Sequence, residues 1–372
     1  RDCGGPVDPL IINDNQIHDI GEYGVEIYNS NEIEISDNLI TDCEKSGVRI
    51  TFSSPILLEG NTFRDNKKGY YSYGSMTDTI GNRFDNCDVG AEYETYSGHL
   101  IENNTFNNCS IHGILFRRGG AWIENNTFQG KCNTWIYFIV GFDSVVVGNR
   151  IEGGEYGVYM ESMAGPIVLT ENRLNGSGFF ISGYARDDWE YVTLYSTNLV
   201  NDLPVRYKKS RENFSVEPDT GQLILFDCKD VTAKDLKMDN SSVGIQIAYC
   251  SDVYIDNCTS RGGVNGMKIV ESYRMDLRRM TLSDNRDHGL LVENTWDLSL
   301  VYSNPQNNGI SDVKVKNLQL MTFIGNKMGP RGLDLGSKTD DISNYNIGSG
   351  NMVSGKPLIF LKDENNLNIT GG

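Results

Sequence analysis

The sequence predicts an all-β chain: a single-stranded parallel β-helix, a solenoid of about 15 coils with about 22 residues per coil. Three observations predict it. The hexapeptide IENNTF occurs at 101–106 and again at 123–128. An asparagine recurs in the same context at Asn15, Asn38, Asn61, Asn82, Asn104, Asn126, Asn149 and Asn172, in steps of 21 to 23 residues. Each repeat also holds short runs of alternating apolar residues, separated by Gly, Asn, Asp and Ser.

The elements follow in order within each repeat. A short apolar piece precedes the asparagine, as in EIEIS, PILLEG, AWIEN and VVVGN. A second follows it, ending in Phe63, Phe84, Phe106 or Phe128 in four consecutive repeats. A third begins at a glycine, as in GVEI at 24–27, GVRI at 47–50, GILF at 113–116 and GVYM at 157–160. Three strands in 22 residues cannot enclose a core alone, but stacked coils can, each strand pairing with its counterpart one coil away. Equivalent side chains then form rows: a phenylalanine stack inside, and an asparagine ladder at one tight turn. Asparagine suits that turn by tolerating a left-handed backbone and bonding its neighbours above and below.

The phase runs through 1–182, fades across an irregular insertion at 183–220, and resumes at 221–372 with QLILFDCKDVTAKDLKM and GIQIAYCSDVYIDNC. A second loop is expected at 302–311. No stretch shows a helical stripe. The cysteines follow the repeat: Cys87, Cys109 and Cys132 are expected to stack in successive coils, as are Cys228 and Cys250. Equivalent positions roughly 4.8 Å apart allow either disulfides or columns of free thiols. Cys3 has no ladder partner and is a candidate for crosslinking another chain.

Composition excludes several classes. The net charge of −17 disfavours nucleic acid, acidic lipid and polyanionic substrates. The longest apolar run, TWIYFIVGF at 134–142, falls well short of the roughly 20 residues that span a bilayer. Eight cysteines and eight N-x-S/T sequons are compatible with export. The absence of a starting methionine suggests a processed chain.

The N-x-[IF]…G-[IV]-x-[ILF] coils resemble β-helix repeats of the carbohydrate-binding and sugar-hydrolase type, including NosD-like proteins. The segment LPVRYKKSRENFSVEPDTGQLILFDCKDVTAKDL at 203–236 resembles an insert and coil of NosD-like proteins of methanogenic archaea, many of them cell-surface proteins. The resemblance implies right-handed coils and an extracellular, cell-surface location. It does not imply one activity, because the repeat is shared by lyases, hydrolases, epimerases and structural proteins.

Candidate chemistry is sparse. Asp187-Asp188 and His288-Gly289 match the residue types of galacturonan hydrolases but stand about 100 residues apart. Arg117-Arg118, Arg278-Arg279 and the basic run VRYKKSR at 205–211 match the bases of lyases, without an acidic cluster at coil spacing. The four histidines, His18, His99, His112 and His288, are scattered, and no metal or cofactor is expected. Pro6 and Pro9 near one end and NNLNITGG at the other suggest sheet edges that pair with further copies. The leading expectation is therefore a non-enzymatic envelope protein that self-assembles into a surface layer, sheath or filament, its partners other copies of itself and cell-surface glycans. The alternative is a carbohydrate-active β-helix enzyme or a glycan-binding adhesin.

Overall fold

The computed structural model describes residues 9–94, 98–336 and 342–361. The fold is a right-handed parallel β-helix of about 15 turns, with strands recurring about 22 residues apart. The chain divides into two compact units, 1–207 with 240–242, and 208–239 with 243–372.

In the first unit the three pieces of each repeat build three parallel sheets. The first sheet has nine strands, from Leu10–Asn13 to Val192–Leu194. The second is made of the short strands that follow the asparagines, such as Thr62–Arg64, Arg83–Asp85 and Thr105–Asn107. The third has eight strands, from Tyr23–Tyr28 to Phe179–Ile181. Pairing in the second sheet is in register, so Phe63, Phe84, Phe106 and Phe128 lie opposite one another. Their rings stack at centroid separations of 4.9, 4.6 and 4.8 Å, and all four are fully buried. Burial of each such side chain contributes roughly 2 kcal/mol. The glycine near the start of most third strands is demanded by close approach: a Cβ on Gly90 would lie 2.6 Å from both the Gly113 carbonyl oxygen and Phe106 Cδ1.

The corner between the first two sheets carries the asparagines. Each main-chain N–H donates to the Oδ1 of the asparagine one coil on, at 2.8–3.1 Å from Asn15 through Asn172. The run ends on Asn198, 26 residues beyond Asn172. The left-handed backbone belongs to the preceding residue instead: Asp37, Asn103 and Asn125 have φ of 54°, 56° and 54°, and Gly60, Gly81 and Gly148 occupy the same place. In IENNTF the first asparagine makes the turn and the second holds the rung.

Of the two alternatives, disulfides or columns of free thiols, the structure has the second: the seven described cysteines, Cys43, Cys87, Cys109, Cys132, Cys228, Cys250 and Cys258, are free and buried. Two of the thiols donate to the main-chain carbonyl two residues before them: Cys87 Sγ to Asp85 O at 3.7 Å, and Cys250 Sγ to Ala248 O at 3.2 Å. The Cys228 N–H donates to Cys250 Sγ at 3.3 Å. Cysteine thus acts as a weak, sulfur version of the asparagine rung. In-register side chains run alongside one another rather than converging. Cys3 lies outside the described residues.

The segment at 183–207 is more ordered than its sequence suggests. A short helix, Arg186–Glu190, buries Trp189, and Leu199–Val200 turns back antiparallel onto Leu203–Pro204. In the second unit the coils resume with Gln222–Phe226, Val243–Ala248 and Asn265–Val270 in parallel register. Two 14-residue strands, His288–Val301 and Ser311–Ile324, pass continuously through a corner, bending at Asn294 and Asn317 with φ of 49° and 52°. The expected loop at 302–311 contains a strand, Asn304–Gln306, paired with Thr281–Ser283. The core of this unit is rich in methionine and cysteine, including Met238, Met267, Met275 and Met280.

Candidate functional site

Alternation in the third sheet of the first unit turns Val48, Tyr70 and Ile114 inward and their neighbours outward. The outward residues form a register column: Glu26, Arg49, Tyr71, Glu92, Leu115, Tyr137, Tyr159 and Phe180. Beside it runs a second column, Tyr28, Thr51, Tyr73, Glu94 and Arg118. Chemically diverse side chains therefore stand at a spacing of roughly 4.8 Å along one face, with Glu92, Leu115 and Phe180 buried beneath their neighbours.

Aromatic rings line one end of it. Phe52 inserts edge-on between Tyr28 and Tyr73, at centroid distances of 5.9 and 5.1 Å. These rings are 67%, 50% and 39% exposed in the order Tyr28, Phe52, Tyr73, which is unusual for large apolar groups without a partner. With Glu26, Arg49, Thr51 and Tyr71 they enclose an open cleft of about 370 Å³. Arg49 Nη1 is 2.6 Å from Glu26 Oε1, and its guanidinium lies 4.9 Å from the Tyr23 ring.

The centre of the face is a charge network. Glu92 has a side chain only 1% exposed, although it points outward, because Lys68 Nζ at 2.8 Å and Arg117 Nε at 2.5 Å close over it. Glu92 therefore fixes two cations rather than offering its own oxygens to a ligand. Lys68 also lies 4.5 Å from the centre of the Tyr71 ring. The Tyr71 hydroxyl donates to Glu94 at 3.1 Å, and burial, reinforced by Glu94, pushes its phenol up to about 12. It stays a hydrogen-bond donor at any physiological pH.

A second aromatic group lies at the far end. Tyr137 donates to Glu161, and its ring is 4.8 Å from that of Tyr159, which in turn meets Tyr156 and Phe180 at 4.9 Å. The His112 ring lies 5.1 Å from Tyr137. Burial holds its imidazole down at about 4, so it is neutral near pH 7.

The other sequence candidates serve local structure. Asp188 accepts main-chain N–H bonds from Met163 and Ala185, each at 3.0 Å, and fastens the short helix. His288 belongs to the second unit, where Nδ1 is 2.7 Å from Ser311 Oγ. Arg278 pairs with Asp276 and Arg279 with Asp256. The basic run at 205–211 lies mostly in the strand Leu203–Lys209 and ends just before the strand Glu212–Ser215, with Lys208 3.2 Å from Glu217. The described residues hold no group of three or more His, Cys, Asp or Glu side chains placed to share a metal ion. Tyr28, Phe52 and Tyr73 belong to no catalytic or binding motif of the sequence. Their signal was an aromatic at the end of consecutive third strands, in YGVEIY, SGVRITF and KGYYSY.

Residues 2–128 and 70–193 match the family model described as a right handed beta helix region. Residues 170–344 match that of a periplasmic copper-binding protein (NosD). For the copper of that description the described residues offer no group of three or more His, Cys, Asp or Glu side chains. A search of curated proteins gave no match. Among solved structures the chain is similar to a double mutant of the tailspike protein of E. coli bacteriophage HK620 in complex with a pentasaccharide. That alignment has 12% identity and a TM-score of 0.30, covering 93% of this chain and 71% of the other. The periplasmic alginate epimerase AlgG aligns at 10% identity and a TM-score of 0.22, over 88% of this chain and 76% of its own. A PL6 alginate lyase in complex with a trisaccharide aligns at 11% identity and a TM-score of 0.22, over 94% and 96%.

Proposed function

This chain belongs to the right-handed β-helix family, and from that premise we propose that it is an exported glycan-binding protein that lays an extended polysaccharide along the outer face of its third sheet. The observation that carries the proposal is the exposed ridge of Tyr28, Phe52 and Tyr73 beside the Glu26–Arg49 pair. Sugar rings present apolar C–H faces that stack on aromatic rings, and hydroxyl edges that need fixed donors and acceptors. The cleft supplies both on adjacent coils. The coil spacing is comparable to the advance per residue of an extended glycan, so successive sugars meet successive coils. An exported location agrees with the NosD-type match, and no described helix is long and apolar enough to cross a membrane.

Affinity electrophoresis through gels containing soluble polysaccharides tests the proposal. The intact protein is expected to be retarded by at least one of them. Phe52→Ala should weaken that binding about tenfold, the loss of one stacking platform, with an unchanged circular dichroism spectrum. Indifference of the wild-type protein to every polysaccharide would sink the proposal.

The envelope-layer reading rests on the chain ends at 1–8 and 362–372, which lie outside the described residues. It is compatible with a glycan-binding face. Electron microscopy of native material tests it, with ordered sheets or filaments as the supporting result.

A further inference from the structure

We infer that the polysaccharide held by this face is neutral, recognised through its hydroxyl groups and ring faces and not through carboxylate or sulfate substituents. The inference rests on the glycan-binding reading and specifies its ligand class.

The argument is one of charge compensation. Glycans with anionic substituents are held by cations that have charge to spare. The cations of this cleft and its centre stand among carboxylates. Arg49 is paired with Glu26 at 2.6 Å. Lys68 and Arg117 share Glu92, at 2.8 and 2.5 Å. Glu94 stands beside them, bonded by the Tyr71 hydroxyl and in register with Arg118. Four cations thus meet Glu26, Glu92 and Glu94, with Glu161 further along the face, and the sum is zero. The whole chain, at −17, adds a repulsive field for any polyanion.

The same pairs suit a neutral ligand. A carboxylate locked beside a guanidinium presents an acceptor and a donor at fixed separation, the pattern that two neighbouring sugar hydroxyls complement. Glu26 and Arg49 are about half and one-third exposed, so both keep free edges toward the cleft. The exposed rings of Tyr28 and Phe52 lie beside that pair, ready to take the sugar's C–H face.

The test uses the intact chain in affinity gels carrying galactomannan, hydroxyethylcellulose or glucomannan on one side, and alginate, polygalacturonate or heparin on the other, at low and high salt. The expected result is retardation by one or more neutral polymers, unchanged by salt, and none by the anionic ones. Retardation by an anionic polymer that fades with salt overturns the inference and leaves the glycan-binding reading standing. Retardation by no polymer overturns both. Glu26→Gln removes the counter-charge of Arg49 and should create a salt-sensitive retardation by alginate. A folded Glu26→Gln protein that stays indifferent to alginate overturns the claim that these carboxylates set the selectivity.

Discussion

Asn104 shows how much one residue can hold at a corner. Its Oδ1 accepts from the Asn82 main-chain N–H at 2.8 Å and from Asn82 Nδ2 at 3.1 Å. Its Nδ2 donates to Thr79 O at 2.7 Å, Glu102 O at 3.0 Å and Asn126 Oδ1 at 2.9 Å. All but the bond to Glu102 is buried, so Asn104→Ala strands donors and acceptors away from water. The expected loss is about 3 kcal/mol, read from the urea midpoint; an unchanged midpoint would make the ladder ornamental. His99 carries a second residue-scale prediction. The Thr77 N–H donates to its Nδ1 at 3.1 Å, which places the proton on Nε2, where no described acceptor meets it. Burial lowers the imidazole from 6.5 to about 4. The folded state refuses a proton that the unfolded state accepts. The stability is therefore complete above pH 6.5, falls as pH drops through that value, and stops changing below about 4. A shift of this size is worth roughly 3 kcal/mol in all, of which about 2 kcal/mol is lost by about pH 5. Urea titrations at neutral and mildly acidic pH check it, and the drop should shrink in His99→Gln. An equal drop in that variant would assign the effect to other groups.

At the scale of elements, what the sequence shows depends on which side of the wall a residue faces. Inward positions repeat because each must fit the row above and below it, so the strand triplets and the row Phe63, Phe84, Phe106 and Phe128 are legible by phase alone. Outward positions owe nothing to their neighbours. Glu26, Arg49, Tyr71 and Glu92 share a column with no shared chemistry, so no repeat analysis finds them, and only the register reveals that Glu92 sits under Lys68 and Arg117. The short helix Arg186–Glu190 was invisible for a different reason: five residues are too few for a 3.6-residue period to register. Asn304–Gln306 reads locally as a turn, with Pro305 at its centre, yet pairs with Thr281–Ser283 because the coils around it fix the register. Cysteine phase was legible, but thiol direction was not. Whether two stacked cysteines bond depends on Cβ vectors that spacing does not encode.

At the scale of the molecule, a solenoid is stable through contacts between neighbouring coils, so a coil is a removable unit if phase is kept. The two copies of IENNTF make a clean test within the first unit. Deleting Thr105–Asn126, 22 residues, joins Asn104 to Thr127 and regenerates the hexapeptide at the junction. The asparagine ladder then continues from Asn104 to Asn149, and Phe84 stacks on Phe128. Gly90 takes the place of Gly113, so Trp135, whose ring now meets Gly113, still faces a glycine. The local loss is Arg117, which leaves Lys68 as the counter-ion of Glu92. The shortened chain is expected to fold, with a β-type circular dichroism spectrum, a cooperative melt and a stability lower by a few kcal/mol. Deleting only Thr105–Leu115, 11 residues, puts every later strand out of phase with the coil before it and should abolish the cooperative melt. If both deletions melted alike, the cohesion of the unit would lie in features specific to single coils, such as the Glu92 network, and not in the repeat that IENNTF announces.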